Sequence, residues 1–280
     1  MIEFQSVSKT FQKRAVLDDI SLSFDAGARV ALVGSNGAGK TTLIRCLLGE
    51  YVCNGNVRVG GVDPRADRQG VLARIGFVPQ LPPPLKIPVG ELINYSANLC
   101  NSDPKHMEEV AEQLGLSMDS IRNQPFVKLS GGQKQKLLIG IALGRESDVL
   151  VMDEPAANLD PESRKIFFSL LSERTQNSVM LMSSHRIDEI AALVNRVVEL
   201  DRGQVVLDDH VADSIDPSAI QDCNLSLSRD EEALAKSLAE WGFTNGDGLN
   251  WSGTVAGPDR LRFLGMMSRY AGLISSLELK

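Results

Sequence analysis

The sequence predicts an α/β protein whose mainly parallel sheet is covered by helices on both faces, followed by a small α+β unit. Short apolar strands alternate with helical patterns, and a glycine-rich loop joins one buried strand directly to a helix. Around Asp213–Pro217 this pattern breaks and a different order of elements begins. We therefore expect a large α/β domain at residues 1–215 and an accessory domain at residues 216–280.

Short apolar runs define the strands of the large domain. Arg29–Val33 is typical of a buried strand ending at Gly34, and Lys40–Leu48 has helical periodicity. Arg196–Leu207 predicts a closing hairpin. The other predicted strands are Ile2–Val7, Ile20–Phe24, Val57–Val59, Ile75–Val78, Val149–Met152 and Val179–Met182, and the other helices are Glu91–Leu99, Met107–Leu114, Gln133–Leu143 and Pro161–Glu173.

The accessory domain combines strand and helix patterns in a different order. Alternating residues predict strands, and spacing at three and four residues predicts amphipathic helices. In chain order we expect a strand at Asn224–Ser228, a helix at Asp230–Trp241, a strand at Leu249–Val255, a helix at Pro258–Tyr270 and a strand at Leu273–Leu279.

The composition disfavours several classes of protein, among them nucleic-acid-binding, zinc-binding and secreted proteins. The hydrophobic content of 43% suits a soluble domain, and the formal net charge of -7 disfavours a nucleic-acid partner, which needs clustered Lys and Arg. The four cysteines lack the spacing of a zinc site and are expected to be reduced thiols. Residues 1–13 lack the apolar stretch of a signal peptide. We expect a cytosolic chain that depends on another chain wherever it works at a membrane.

A phosphate-binding loop follows the buried strand. Its glycines allow consecutive backbone N–H groups to surround a phosphate, and the next helix adds its positive end. We expect Lys40 to span the β- and γ-phosphates, Thr41 to ligate Mg²⁺, and Thr42 to lie near the α-phosphate. The alternative is a chance glycine-rich turn. The loop residues are Gly34, Ser35, Asn36, Gly37, Ala38, Gly39, Lys40 and Thr41.

Two carboxylates follow the apolar strand at Val149–Met152. Asp153 and Glu154 are expected at the carboxyl edge of the sheet, where ligands of parallel α/β sheets bind. Asp153 would hold Mg²⁺ through water, and Glu154 would polarise the attacking water. Alternatively, the pair only caps the helix that follows Pro155.

The pentapeptide Leu129-Ser130-Gly131-Gly132-Gln133 lies between the loop and the carboxylates. In isolation it predicts only a helix with a serine N-cap. In this position it resembles the signature of the ATP-binding-cassette (ABC) ATPases, a resemblance that covers roughly the first three quarters of the chain. The resemblance implies a P-loop NTPase fold of the ABC type, with a mainly parallel core sheet, an antiparallel β subdomain and a helical subdomain.

The resemblance also implies a head-to-tail dimer. In the family the signature opens a helix and contacts the γ-phosphate of an ATP molecule held by the opposite subunit. Ser130, Gly131, Gly132 and Gln133 would therefore bind ATP in trans. A homodimer with two ATP molecules in its interface is expected.

Four further roles follow from the resemblance, one residue at a time. Gln80 would reach Mg²⁺ and the attacking water and would begin the segment that senses a membrane partner. Asp160 would act across the dimer interface, and His185 would contact the γ-phosphate, although a lone His after a strand is more often structural. Phe11 would stack on adenine where family members often have Tyr, unless it is a core residue at a strand end.

As a whole, the resemblance implies an ATPase with ATP and Mg²⁺ as cofactors, bound at the cytoplasmic face of the membrane through integral permease subunits. Its organisation is most similar to ATPases paired with separate export-type subunits, including those of membrane-linked cofactor maturation. A non-transport ABC ATPase is disfavoured because the chain has one cassette and no long insertion. A regulatory cassette is disfavoured because Glu154, His185 and the signature glycines are present. The stiff, apolar run Leu81–Leu85 would shape the groove for a membrane subunit, or only stiffen its loop.

Overall fold

The computed structural model describes residues 1–173, 178–184, 190–210, 220–256, 263, 266–267 and 270–279. These residues form two compact units. The first unit holds the described residues up to Ser184 together with 193–210, and the second holds 190–192 and the described residues from 220 onward. The predicted boundary between residues 215 and 216 lies outside the described residues.

The first unit contains the strands and helices that the apolar pattern predicts, together with two short helices. In chain order they are β1 (Ile2–Phe11), β2 (Arg14–Phe24), β3 (Arg29–Val33), α1 (Lys40–Leu47), β4 (Asn54–Val59), α2 (Arg68–Ala73), β5 (Ile75–Val78), α3 (Val89–Cys100), α4 (Pro104–Gln113), α5 (Met118–Ile121), α6 (Gly131–Leu143), β6 (Val149–Asp153), α7 (Pro161–Glu173), β7 (Val179–Ser183), β8 (Arg196–Asp201) and β9 (Gln204–His210).

A six-stranded sheet in the order β5-β6-β7-β3-β8-β9 forms the centre of this unit. All neighbouring strands are parallel except β9, which pairs antiparallel with β8. Every residue of β6 and β7 is buried, as expected for parallel strands covered on both faces. The parallel arrangement brings the carboxyl ends of β3, β6 and β7 to one edge, where the predicted site residues follow.

An antiparallel sheet in the order β2-β1-β4 packs its apolar side chains into the same core. Its strands β1 and β2 run several residues beyond the predicted ends because a two-residue turn joins them. Gln12 and Lys13 have φ values of 44° and 71°, both in the left-handed region that such tight hairpin turns require. The turn places Phe11 at the end of β1.

A helical region forms a separate apolar cluster in the first unit. The helices α3, α4 and α5 pack with α6 around Phe126 and Met107. Gly140 lets α6 approach α4, because a Cβ there would lie 2.8 Å from the carbonyl oxygen of Met107. The short helices α2 and α5 were not predicted, since four to six residues are too few to show a helical period. Taken together, the two sheets and this region confirm the predicted fold class.

The second unit is a split βαβ arrangement. Its elements are β10 (Ile220–Leu227), α8 (Glu232–Glu240), β11 (Thr244–Asn245), β12 (Asn250–Ala256) and β13 (Ile274–Leu279). The antiparallel sheet has the order β11-β12-β10-β13, which is that of ferredoxin-like domains. The predicted helix Pro258–Tyr270 lies largely outside the described residues, and the two-residue strand β11 was missed. Within the described parts of both units, no helix combines the length and apolar character needed to cross a membrane.

Candidate nucleotide-binding site

The phosphate-binding loop connects β3 to α1, as predicted. Gly34 has a φ of 137°, and a side chain there would overlap the carbonyl oxygen of Leu200. Gly39 has a φ of 114°, and its Cβ would lie 2.9 Å from the carbonyl oxygen of Val16. Both positions therefore need glycine for two reasons, backbone conformation and close approach.

Lys40 is the first residue of α1 and is 7% exposed. Its ammonium group donates hydrogen bonds to the carbonyl oxygens of Gly34 at 2.7 Å and Ser35 at 3.2 Å. Burial lowers the pKa of Lys40, against the opposing effect of the Glu154 and Asp153 carboxylates. The loop thus encloses a cation at the positive end of a helix, an arrangement suited to a phosphate.

A cavity of about 320 Å³ joins the loop to the predicted carboxylates. It contains most of the residues assigned to the phosphates and the metal ion, and it also contains Val16. Sequence analysis missed Val16, because an apolar residue in a strand gives no functional signal. The cavity is lined by Val16, Asn36, Gly37, Gly39, Lys40, Thr41, Thr42, Gln80, Asp153 and Glu154.

Asp153 and Glu154 are held by a serine that sequence analysis did not assign. Asp153 ends β6 and is 3% exposed, and its Oδ1 accepts a hydrogen bond from Ser183 Oγ at 2.6 Å. The same Oγ accepts the backbone N–H of Glu154 at 2.9 Å. Glu154 has a φ of 51°, a sparsely populated conformation for a residue other than glycine. Ser183 therefore fixes both the carboxylate and the strained turn after it.

The signature residues form the start of α6, away from this cavity. Ser130 and Gln133 make a reciprocal capping box: Ser130 Oγ accepts the Gln133 N–H at 3.2 Å, and Gln133 Oε1 accepts the Ser130 N–H at 3.0 Å. A Cβ built on Gly131 would meet nothing within 4 Å. None of the five residues predicted to bind ATP in trans, the four signature residues and Asp160, lines the cavity of its own chain.

Asp160 lies immediately before α7, in the loop that follows Glu154. Its carboxylate accepts the backbone N–H of Ser163 at 2.9 Å and pairs with Lys136 Nζ at 2.9 Å. These contacts, the Ser163 hydrogen bond foremost, hold the pKa of Asp160 below its usual value. The carboxylate is engaged within its own chain, and its role across a dimer stays a prediction.

Phe11 is 39% exposed and packs beside two residues that sequence analysis missed. Its ring centre is 5.3 Å from that of Tyr51, with an edge-to-face geometry. Lys9 Nζ lies 4.7 Å from the centre of the Phe11 ring. His185, predicted to contact the γ-phosphate, lies outside the described residues.

A second cavity of about 400 Å³ adjoins Gln80. Apolar side chains of Phe77, Leu81 and Leu138 contribute to it, together with Arg45 at one side. Leu81 is 77% exposed, so a large apolar side chain faces solvent directly after Gln80.

Comparison with known proteins matches these features to one family. The family model described as ABC transporter matches residues 17–157. Nod factor export ATP-binding protein I of Paraburkholderia xenovorans is 32% identical over 216 residues, which span 73% of this chain and 69% of that protein. The energy-coupling factor transporter ATP-binding protein EcfA2 of Clostridium perfringens is 30% identical over 217 residues, spanning 73% of this chain and 76% of that protein.

Larger relatives and solved structures match the same part of the chain. Human phospholipid-transporting ATPase ABCA3 is 33% identical over 208 residues, which are 71% of this chain but 12% of that protein. The chain thus spans about an eighth of the mouse and human relatives ABCA8B and ABCA3. A solved ATP-binding subunit of an ABC transporter superposes with a TM-score of 0.68 at 23% identity, covering 75% of this chain and 90% of the other. The chain therefore belongs to the ABC transporter family, as one of its ATP-binding cassettes.

Proposed function

We propose that the chain hydrolyses ATP as the cassette subunit of an ABC transporter, in a dimer closed around two ATP molecules. The observation that carries this proposal is that the predicted site residues fall into two groups within one chain, one inside a cavity and one outside it. Lys40, Asp153 and Glu154 share one cavity, whereas Ser130 begins a helix outside it. A second copy would supply the missing helix start. This division supports a head-to-tail homodimer.

In the cavity of one chain, each residue has a role that suits its chemistry. Lys40 and the loop amides bind the β- and γ-phosphates by charge and hydrogen bonds. Glu154 orients the attacking water as a base, and its fixed backbone turn aims the carboxylate into the cavity. Gln80 at the cavity wall positions the same water through its amide. The residue roles of His185 in cis and Asp160 in trans are proposed from the family resemblance alone.

The donor atoms of the cavity also suit a magnesium ion. Thr41 offers a hydroxyl, Gln80 an amide oxygen and Asp153 a buried carboxylate, and hard oxygen ligands of this kind are those that Mg²⁺ prefers in nucleotide sites. We propose that these three residues hold the ion with the nucleotide. When bound, the ion would neutralise phosphate charge.

The base of the nucleotide would lie on Phe11. Lys9 Nζ is 4.7 Å from the Phe11 ring centre and 5.7 Å from that of Tyr51, while the two ring centres are 5.3 Å apart. Lys9 and Tyr51 thus pack against Phe11, which remains 39% exposed. We propose that adenine stacks on this exposed ring surface.

The partner that makes use of ATP hydrolysis would be a separate membrane-spanning subunit. The exposed Leu81 and the adjoining apolar cavity support this proposal, because they offer a groove for an apolar helix directly beside Gln80. Peripheral attachment at the cytoplasmic face of the membrane follows from it. We propose export or membrane-linked cofactor maturation as the process, and the similarity to a protein named for Nod factor export supports the first.

The catalytic assignment is tested by Glu154→Gln. The amide keeps the size of the side chain but cannot act as a base, so turnover should fall about 10²- to 10⁴-fold. ATP affinity should be retained, and ATP should now hold a stable dimer because the bridging phosphate is not removed. Phosphate release, equilibrium nucleotide binding and size-exclusion chromatography with ATP measure these three properties.

Glu112→Gln is the matched control, because Glu112 is exposed on α4, outside the cavity. It should hydrolyse ATP at the rate of the unmodified chain. Rapid turnover by Glu154→Gln would refute the role of Glu154. A chain that binds ATP but stays monomeric in both variants would refute the dimer.

A further inference from the structure

Gln135 in the second turn of α6 is a buried polar side chain that the proposed mechanism does not use. It is 1% exposed. Its Nε2 donates a hydrogen bond of 2.8 Å to the carbonyl oxygen of Pro155, the residue that directly follows Glu154. A carbonyl oxygen can only accept, so the amide orientation is fixed by this contact.

The other end of the same amide is not satisfied. Gln135 Oε1 is buried and has no hydrogen-bond partner among the described residues. A buried acceptor without a donor costs free energy, and an apolar side chain of the same shape would avoid that cost. The same replacement would remove the donor to the Pro155 carbonyl, so this contact is the feature that specifically favours glutamine here.

The contact joins two parts of the site that serve different ATP molecules. Ser130 caps α6 five residues before Gln135, which is about 7.5 Å along a rigid helix. Glu154 lies one residue before Pro155, in a left-handed conformation that its neighbours must hold. Ser183 fixes the N–H of Glu154, and Gln135 fixes the carbonyl group on the other side.

Other contacts support a rigid link between α6 and the loop after Glu154. Lys136, next to Gln135, pairs with Asp160 at 2.9 Å. A Cβ on Gly132 would lie 3.3 Å from the carbonyl oxygen of Asn158, so the first turn of α6 runs close to the loop backbone. A displacement of the start of α6 would therefore be passed on to the loop rather than absorbed between them.

We propose that Gln135 is a positioning residue that couples the start of α6, in contact with one ATP molecule, to Glu154, which acts on the other. This inference rests on the proposed function and goes beyond it. When Ser130 engages the γ-phosphate bound by the partner, α6 shifts, and the Gln135–Pro155 contact sets the carboxylate for hydrolysis in its own chain. Each chain then hydrolyses ATP efficiently only when both sites are filled.

Gln135→Met tests the proposal, because methionine matches the length and burial of glutamine but cannot donate to Pro155. We expect kcat to fall about ten- to hundredfold, the effect of a small misplacement of a catalytic group, with KM for ATP unchanged within about twofold. In the Glu154→Gln background, ATP should still hold the dimer.

A double-mutant cycle with Ser130→Ala distinguishes coupling between Ser130 and Gln135 from simple structural support of the Glu154 loop by Gln135. If Gln135 transmits the contact between Ser130 and the phosphate, Gln135→Met should lower kcat by less than about twofold in a chain that already carries Ser130→Ala. Asn195→Leu is the control, because it removes a side-chain amide that bonds to the backbone at Gly27 and Arg29, remote from the cavity. It should lower the melting temperature without altering kcat.

The outcomes are distinct. An unchanged kcat in Gln135→Met, effects that multiply with those of Ser130→Ala, or loss of the ATP-held dimer would each overturn the inference. If the unmodified chain shows no turnover, or if Glu154→Gln turns over normally, the proposed function itself fails.

Discussion

At the scale of single residues, short sequence motifs identify the residues proposed to act on ATP. They do not identify the residues that hold those residues in position. Lys40, Asp153 and Glu154 were predicted because a glycine-rich loop and a carboxylate pair follow buried strands. Ser183 and Val16 were not, because a serine or valine at a strand end is commonplace. Only the sheet order, which places β7 beside β6, shows that Ser183 can hold both carboxylate residues.

The surroundings of Phe11, the residue proposed to stack on adenine, show the same difference. Phe11 was predicted from the family pattern. Lys9 lies two residues before it on β1, beyond the predicted end of that strand, and Tyr51 reaches it from the segment between α1 and β4. Lys9 Nζ also donates to the carbonyl oxygen of Val52 at 2.6 Å, which fixes its position over the ring. An ammonium group over an aromatic face stabilises the ring orientation by about 0.5–1 kcal/mol at exposed sites.

Lys9→Met should therefore weaken ATP binding without affecting the chemical step. We expect KM for ATP to rise about two- to fivefold, in line with a loss of that size, while kcat stays the same. Steady-state kinetics of phosphate release measure both values. Lys105→Met, a change at an exposed lysine of α4, is the control and should leave KM unaltered. A fall in kcat for Lys9→Met would contradict the assigned role.

At the scale of secondary-structure elements, helix caps and contacts between helices and loops hold the candidate site residues in position. The capping box of α6 was recognisable as a serine N-cap, since Ser130 and Gln133 have the required spacing. The start of α7 was recognised only as a helix that begins with proline. The ion pair between Asp160 and Lys136 joins residues 24 positions apart, and no local pattern predicts such a contact.

Asp160→Asn should show how much the negative charge at the start of α7 contributes to the stability of the folded chain. Asparagine caps helices as well as aspartate does, so the substitution removes mainly the charge. The pKa of Asp160 is lowered in the folded chain, first by the Ser163 N–H and then by Lys136. Its stabilising effect is therefore present above the unfolded pKa of about 3.9 and is lost as the pH falls towards the folded value.

Urea unfolding at several pH values measures this difference. The free energy of unfolding of the unmodified chain should exceed that of Asp160→Asn by a constant amount from pH 7 to about pH 5, and the gap should close below about pH 3.9. A gap of unchanged size in acid would show that the ionised carboxylate is not its source.

At the scale of the whole molecule, the described residues form two units with separate apolar cores. The candidate nucleotide site lies within the first unit, whereas Leu225, Leu234 and Phe243 belong to a separate apolar core in the second. The second unit was predicted from sequence only as a small α+β domain, since alternating strands and an amphipathic helix are visible there. Its sheet order was not, because the pairing of β10 with β12 and β13 joins strands distant in the chain.

The surface beside Gln80 is where the molecule should meet its membrane partner. We expect Leu81→Glu to release the chain from the membranes of cells that produce it together with its partner, because a charge would enter an apolar contact. Sedimentation of membranes followed by detection of the chain measures the bound fraction. Val206→Glu, at another exposed apolar residue on β9, is the control and should remain bound. Thermal unfolding confirms that both variants are folded.

The sequence alone determined the fold class, the phosphate loop, the carboxylates and the signature, because each depends on residues adjacent in the chain and on backbone conformations that only certain residues adopt. Tertiary structure decided which of these residues share a cavity. It also revealed that Ser183, Gln135, Lys9 and Tyr51 support them. The physical reason is that the contacts of Ser183, Gln135 and Tyr51 join distant segments, and their geometry is set by strand order and helix packing rather than by local residue preference. Lys9 was missed because β1 extends beyond its predicted end as far as Phe11.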